Sequence, residues 1–311
     1  MSFTQDVKME ICNNELLVCC KKAELAAIIQ MCGFLNICQQ QFNLEIRTQN
    51  PTIAKRALTL LKQLFTVETE LLKLRQFKFA KKHSYIIRVK TAVKPVLEDL
   101  TLWGEQGLNN YPKATIVKKD CCRRAYLAGA FLASGSINSP RSTSYHLEVS
   151  CNEESLANYL LKLLKRYEIA ARIIRRRSKY VLYLKQSEKI GDFLRLVGAA
   201  EALMKFEDSR IQRDYVNSIH RLDNCDIANE VRIQRSAGKQ ISDINKVLAK
   251  YGAADLDERL KEVAFLRLEN PDLSFLELSD LYQEQYHQPL SKSGIRHRLN
   301  KISDLAEKIE Q

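Results

Sequence analysis

Two stretches govern the reading of this chain. They are Cys19-Cys-Lys-Lys-Ala-Glu-Leu-Ala-Ala-Ile-Ile-Gln-Met-Cys-Gly33 and Cys121-Cys-Arg-Arg-Ala-Tyr-Leu-Ala-Gly-Ala-Phe-Leu-Ala-Ser-Gly135. Each runs from vicinal cysteines through two basic residues and a small, apolar segment to a glycine, and the second begins 102 residues after the first. At an offset of 103 the likeness continues, with Phe42-Asn-Leu-Glu-Ile46 against Tyr145-His-Leu-Glu-Val149 and Leu60-Leu61-Lys62 against Leu163-Leu164-Lys165. Tyr85-Ile-Ile-Arg-Val89 falls against Tyr180-Val-Leu-Tyr-Leu184 once about eight residues are removed. So long a period suits a duplicated domain with a pseudo-two-fold axis rather than a solenoid.

Local patterning predicts the same order of elements in each copy. The first reads as a helix over 22–35, a strand over 42–48, a helix over 51–65 with Pro51 in its first turn, and strands near 71–79 and 84–90. The second reads as a helix over 121–134, a strand over 144–151, a helix over 153–167 and strands near 170–176 and 179–185. A last helix over 187–197 is ended by Gly198. Residues 91–120 carry Pro95, Gly104, Gly107 and Pro112 and read as a connector, with a short helical turn at Leu97–Trp103. The segments 1–90 and 121–198 are therefore the expected repeats, followed by a linking helix over 199–224.

The segments Leu25–Gly33 and Leu127–Gly135 resemble the LAGLIDADG motif of homing endonucleases. The resemblance implies an α+β fold, a duplicated αββαββα-type domain in which the two motif helices pack at the pseudo-two-fold axis. In that family the eighth motif position supplies a carboxylate to a divalent metal at the DNA backbone. Hard cations such as magnesium require oxygen ligands, and in-line phosphodiester cleavage requires the metal. Here the eighth positions are Cys32 and Ser134, and Asp and Glu are absent from Leu25–Phe42 and from Arg123–Leu147. The expectation is a nuclease core without catalytic residues. An active homing endonuclease would have to draw its acids from outside the motif.

Composition points the same way. At 311 residues the chain can hold two or three domains with their own cores. No apolar run approaches the ~18–20 residues needed to cross a membrane, and Met1-Ser-Phe-Thr-Gln-Asp-Val-Lys8 lacks the form of a signal peptide. Nine cysteines, an odd number with two vicinal pairs, suggest free thiols in a reducing cytosol rather than a disulfide framework. There is no CxxC and the histidines are scattered, so no metal site and no cofactor are expected.

The net charge of +12 is unevenly placed. Residues 225–311 hold 13 basic and 15 acidic side chains, a net of −2, which leaves +14 for residues 1–224. Two acid-free stretches stand out. The first holds Lys73, Arg75, Lys78, Lys81, Lys82, Arg88, Lys90 and Lys94, and the second Arg172, Arg175, Arg176, Arg177, Lys179 and Lys185. Both read as two-stranded hairpins with basic tips. The resemblance implies that such hairpins build a saddle-shaped sheet in the DNA major groove, and paired basic hairpins suit a phosphate backbone. The plainer reading is a pair of solvated strand edges, since Lys and Arg also discourage edge-to-edge pairing.

From about Asn224 the pattern is all-helical. Segments 226–237, 240–251 and 256–269 are amphipathic, with breaks expected at Gly238 and Gly252 and a stop before Pro271. The linking helix continues toward Asn224–Asn229, where a hinge would let the two parts move independently. Ser274–Tyr286, a turn at His287–Leu290 and Ser291–Ser303 then read as a helix-turn-helix, with Ser274 and Glu277 forming a capping box and Ser291 capping the second helix. Ile295, Leu299 and Ile302 make the inward stripe. Ser291, Lys292, Ser293, Arg296, His297, Asn300 and Lys301 are left for DNA: Arg and Asn for base edges, Lys for phosphate. Arg298 lies nearer the inward side. A helical bundle with a basic last helix is the plain alternative.

Two degenerate LAGLIDADG-like repeats, the segment Asn224-Cys-Asp-Ile-Ala-Asn229 and a C-terminal helix-turn-helix together resemble the WhiA family of bacterial sporulation and cell-division regulators. The resemblance spans essentially the whole chain. It implies a cytoplasmic, nucleoid-associated transcription regulator that binds double-stranded DNA, is not an enzyme, and works beside a protein co-regulator. A duplicated scaffold allows a monomer, whereas single helix-turn-helix modules often dimerise, so a monomer or weak dimer is expected. The rival readings are a protein-interaction adaptor and a non-specific nucleoid-associated protein.

Overall fold

The computed structural model describes residues 2–38, 41–75, 83–105 and 107–310. The chain forms two compact units, Met1–Arg213 and Asp214–Gln311.

The first unit opens with α1 (Phe3–Asn13), which the sequence reading left out. Its signal is a capping box, Ser2 with Gln5, followed by the buried residues Val7 and Ile11 one helical turn apart. The first repeat then runs α2 (Val18–Cys32), β1 (Gly33–Cys38), β2 (Gln41–Thr48), α3 (Pro51–Leu64), β3 (Thr69–Arg75), β4 (His83–Val89) and α4 (Val93–Asp99). A two-stranded turn, β5 (Trp103–Gly104) with β6 (Gly107–Leu108), follows in the connector. The second repeat runs α5 (Asp120–Ser134), β7 (Gly135–Ile137), β8 (Leu147–Cys151), α6 (Glu154–Lys165), β9 (Arg172–Arg176), β10 (Lys179–Leu184) and α7 (Ser187–Leu196). Both repeats are αββαββα, and the two four-stranded antiparallel sheets share one topology, β1-β2-β4-β3 and β7-β8-β10-β9.

Strands β1 and β7 were not foreseen from local pattern, and the helix expected over 22–35 stops at Cys32. The glycines explain both. Gly33 and Gly135 adopt extended backbone at ψ 143° and 150°, so each helix ends one residue earlier and a strand starts at the glycine itself. A side chain there would strike the preceding turn: a Cβ on Gly33 would lie 2.3 Å from the Ile29 carbonyl oxygen.

One hydrophobic core serves both repeats, and α2 and α5 lie side by side in it. From Ala23 to Ile29 and from Ala125 to Leu132 these helices are buried on every face, as a doubly packed central helix must be. Gly129 sets the approach. A Cβ at this position would fall 2.4 Å from the Glu24 carbonyl oxygen and 2.9 Å from the Ala27 Cβ. Leu44, Ile46, Ile87 and Val89 in one sheet, and Leu147, Val149, Leu182 and Leu184 in the other, turn their alternate residues to this core. The buried Glu24 carboxylate is answered by Arg56, whose Nε lies 2.7 Å from Oε1, and the same guanidinium donates to the Cys12 and Asn14 carbonyls.

Helix α1 ties the repeats together. Thr4 Oγ1 exchanges hydrogen bonds with the backbone of Ile137, and Glu10 accepts from the amides of Glu201 and Ala202 at the start of α8 (Ala200–Tyr251). A carboxylate there satisfies free amides and the positive helix end together. At the far end of the unit, Arg213 of α8 donates to the Pro140 and Ser142 carbonyls and lies over the Tyr145 ring.

Helix α8 runs unbroken through Asn224–Asn229 and Gly238, which corrects the break expected at Gly238. An interior glycine costs a helix only about 1 kcal/mol, too little to end one flanked by good helix formers. Gly252 does end it, at φ +75°, with its amide bonded to the Leu248 carbonyl. Along the first part of this helix Leu203 and Phe206 are buried, whereas Ile211, Tyr215, Ile219 and Leu222 are exposed.

The second unit adds α9 (Glu258–Glu269), α10 (Phe275–Tyr286) and α11 (Lys292–Glu310) to the end of α8. Its core joins Ile244, Val247, Val263, Leu266, Leu278, Tyr282, Ile295, Leu299 and Ile302. Arg267 is only 2% exposed and donates to the Leu273 carbonyl at 2.6 Å, so it closes the turn between α9 and α10. Among the described residues no helix is long and apolar enough to cross a membrane.

Candidate nucleic-acid interface

Cys32 and Ser134 come together as the repeat symmetry requires. Each ends its central helix, and both line one cavity of about 540 Å³. Among the described residues no carboxylate lines it. Lys8, Arg47 and Lys179 do, beside Asn50, Ser84 and Asn152. The Cys32 thiol donates back to the Ile28 carbonyl at 3.0 Å, and burial pushes its pKa up to about 12, so it stays a neutral thiol. The Ser134 hydroxyl is buried with no hydrogen-bond partner among the described residues. Lys8 lies 5.7 Å from the Phe131 ring centre, and burial draws its ammonium pKa down to about 8. A neutral thiol, a hydroxyl and three cationic side chains do not fit a hard divalent cation.

The sheet faces opposite the core carry matching acids. Glu45 and Glu148 occupy equivalent positions, the acids of the two Leu-Glu-Ile/Val segments. In the first repeat Glu45 pairs in register with Arg88, and Arg88 with Glu70. Arg47 and Arg88 donate to the Glu45 carboxylate at 2.7 and 2.9 Å and hold it below the usual carboxylate range. Lys90 reaches Glu70 at 3.0 Å. In the second repeat Glu148 lies 3.1 Å from His146 Nε2, and the His146 ring stacks on Tyr183. Part of the first acid-free stretch is thus neutralised by acids that sequence places on other strands.

The hairpin tips differ in what can be said of them. Lys78, Lys81 and Lys82 lie outside the described residues. In the second repeat Arg175, Arg176, Arg177 and Lys179 are all exposed, and none has a carboxylate partner among the described residues. The strands pair Arg176 with Lys179, which leaves Arg177-Ser178 as a two-residue loop with Arg177 at φ +57°. Arg175 lies 6.0 Å from the Tyr180 ring centre.

In the second unit the structure separates α11 into two faces. Ile295, Leu299 and Ile302 are at most 2% exposed. Ser291, Lys292, Ser293, Arg296, His297, Asn300 and Lys301 are all exposed, and they form one continuous polar face along the first three turns. Ser291 caps the helix, its hydroxyl accepting from the Gly294 amide at 3.2 Å. The preceding helix starts with the capping box that the sequence predicts: Glu277 accepts from the Ser274 amide and returns its own amide to the Ser274 hydroxyl. His287, at φ +54°, closes α10 and starts the turn. The Leu290 carbonyl is bound by the Ser279 hydroxyl, which fixes the entry to α11. Arg298 faces inward, donating to the Tyr282 hydroxyl at 3.0 Å and to the Arg259 carbonyl at 3.2 Å.

Sequence reasoning missed one constellation. Cys19, Cys20, Cys121 and Cys122 meet at the N-terminal ends of α2 and α5, with all four sulfurs within 4.8 Å of one another. The available signal was that the vicinal pairs occupy equivalent positions of the two repeats.

Comparison with known proteins agrees with this architecture. Residues 18–103 match the model for the WhiA N-terminal LAGLIDADG-like domain, 123–216 that for the WhiA LAGLIDADG-like domain, and 219–306 that for the WhiA C-terminal HTH domain. A protein of Brevibacillus brevis named "Probable cell division protein WhiA" is 42% identical over 100% of this chain and 98% of its own. One of the same name from Ligilactobacillus salivarius is 42% identical over 99% and 97%. The crystal structure of full-length DUF199/WhiA from Thermatoga maritima superposes with a TM-score of 0.61 at 25% identity, covering 99% of both chains. With three family models in order along one chain and full-length relatives above two-fifths identity, this protein belongs to the WhiA family.

Proposed function

We propose that this protein is a sequence-specific DNA-binding regulator linked to cell division, in which α11 reads base edges and the duplicated domain performs no nuclease chemistry. The observation that carries the reading is the two-faced α11. Its inward stripe is consumed by the core, while Lys292, Ser293, Arg296, His297, Asn300 and Lys301 stay free of the fold's own packing. Arg supplies a forked pair of donors suited to guanine, Asn a donor and an acceptor suited to adenine, and Lys phosphate contact. A helix capped by Ser291 and held rigidly through Leu290 presents these groups in a fixed register. The names of the relatives support the link to cell division.

The duplicated domain contributes differently. Exposed Arg175, Arg176, Arg177 and Lys179 supply backbone affinity that is indifferent to sequence. The central sheet face is less suited to phosphate, because Glu45 and Glu148 stand on it. Phe34, 45% exposed next to Glu45, gives that face the character of a protein-binding platform, the place for a co-regulator. Cleavage has no ligand set in the cavity around Cys32 and Ser134. Equilibrium binding to the protein's best site tests the main reading. Arg296→Ala should lose about 1–3 kcal/mol if Arg296 pairs with guanine; unchanged affinity would contradict it. Magnesium-dependent nicking of supercoiled plasmid by the purified chain would contradict the second part.

A further inference from the structure

We infer that Cys19, Cys20, Cys121 and Cys122 form a tetrathiolate site for a single zinc ion, built across the pseudo-two-fold axis at the converging N-termini of α2 and α5. Three observations carry this, and none depends on the DNA-binding reading.

The first is geometry. The four sulfurs lie within 4.8 Å of one another, and each vicinal pair is separated by 4.0 Å. A tetrahedral zinc with Zn–S bonds of about 2.3 Å requires S···S edges of roughly 3.8 Å. The sulfurs therefore need only small inward shifts to close on an ion at their centre. Two vicinal cysteines cannot provide such a site alone, and the second pair comes from the other repeat.

The second is electrostatics. Cys19 and Cys20 follow Val18 in the first turn of α2, and Cys121 and Cys122 follow Asp120 in the first turn of α5. Both helix dipoles thus point their positive ends at the cluster, which suits the anionic centre that zinc and four thiolates would form. Zinc with four thiolates carries a net charge of −2, and the flanking side chains answer it. Lys21, Lys22, Arg123 and Arg124 follow the two pairs directly, and Lys119 precedes the second. Of the acids around the cluster, Asp120 is engaged by Arg123, Arg124 and the Tyr167 hydroxyl, Asp99 by Lys22, and Glu24 by Arg56.

The third is access. Cys20 and Cys122 are buried, which shields the ion, whereas Cys121 is exposed. One cavity of about 300 Å³ touches Cys19 and Cys122, and another of about 430 Å³ touches Cys20 and Cys121, so an ion can enter without the core opening. The ion would clasp the two repeats at one end of the central helix pair, the end opposite Cys32 and Ser134.

The test uses the full chain, purified in reducing buffer, stripped with a chelator and titrated with cobalt(II) as a spectroscopic stand-in for zinc. The expected result is a saturable one-to-one titration, with the sulfur-to-cobalt charge-transfer absorption and strong ligand-field bands of a tetrahedral thiolate site, bleached by added zinc. Zinc should also raise the unfolding temperature, because it binds the folded state alone. Cys121→Ser removes a ligand from an exposed position and should weaken zinc binding by more than roughly 100-fold. Cys225→Ser, exposed and in the second unit, should leave it unchanged. Absence of thiolate bands in the wild-type chain would overturn the proposal whatever the variants do. So would bands that persist in Cys121→Ser, or a chain recovered from reducing buffer with the four sulfurs joined as disulfides and indifferent to zinc.

Discussion

Arg298 donates to the Tyr282 hydroxyl at 3.0 Å, and through that contact it locks α11 onto α10. The same hydroxyl donates to Glu262 on α9, so one phenol joins three helices of the second unit. Two residues before Arg298, Arg296 is exposed on the opposite face. Two arginines within one helical turn therefore do unrelated work. Arg298→Ala should lower stability by about 1–3 kcal/mol, since it leaves a buried phenol–carboxylate pair without its cation. At a temperature where the variant is folded, its DNA site preference should match wild type. Chemical denaturation and a binding titration measure the two effects; a variant of full stability and altered preference would reverse the assignment.

The central helix pair depends on the missing side chain at Gly129. Gly129→Ala would place a methyl 2.4 Å from the Glu24 carbonyl, which backbone cannot yield cheaply. The expected cost is on the order of 1–3 kcal/mol or more, from overpacking. Gly238→Ala, by contrast, meets nothing within 4 Å in a continuous helix and should stabilise by about 0.5–1 kcal/mol. Thermal unfolding of both variants checks the pair, and equal effects would contradict the packing described.

Arg56 and Glu24 form a buried ion pair, with Glu24 only 1% exposed. Arg56→Ala should cost about 3–5 kcal/mol, because it strands a buried carboxylate and two backbone carbonyls. Glu24→Gln with Arg56→Met together should cost much less than Arg56→Ala alone. A double-mutant cycle by denaturant unfolding decides this.

Lys8 gives the stability a particular pH dependence. Burial lowers its pKa from 10.5 to about 8 in the folded chain. The unfolded state then binds the proton more tightly, so this residue costs stability below pH 8 and the cost disappears as pH rises from about 8 to 10.5. Lys8→Met should therefore stabilise the protein at neutral pH, by up to about 3 kcal/mol. The gain should shrink through that alkaline window. A difference between variant and wild type that is flat from pH 7 to 10.5 would contradict the burial described.

Much of the fold was legible because it is written twice. The duplicated Cys-Cys-basic-basic-to-Gly segments, Pro51 at the start of α3 and the Ser274–Glu277 box all have local signatures. What escaped had non-local causes. Strands β1 and β7 begin on the glycines that end α2 and α5, so a local pattern reads one longer helix. Charge counting found the stretch around Arg88 but not Glu45 and Glu70, which answer it from neighbouring strands. The inward face of α11 was legible from its spacing, and the role of Arg298 was half legible. The four-cysteine cluster was illegible pair by pair, since only the helix packing brings sulfurs 102 residues apart together.

The basic hairpin of the second repeat should act on salt dependence rather than on sequence choice. Replacing Arg175, Arg176 and Arg177 by Gln removes three exposed cations without disturbing any ion pair among the described residues. If all three face phosphates, the slope of log affinity against log salt should flatten by up to about three. Binding titrations over a salt series check this. A changed site preference with an unchanged slope would place these residues on base edges instead.

The most direct test of the account is to sequence genomic DNA fragments retained by the purified chain at near-physiological salt, beside an Arg296→Ala, Lys301→Ala variant. A sequence-specific regulator that reads through α11 predicts a narrow shared motif in the wild-type set and its loss in the variant. Unselected fragments, retained equally by both proteins, would contradict that claim and move DNA binding to the basic hairpins.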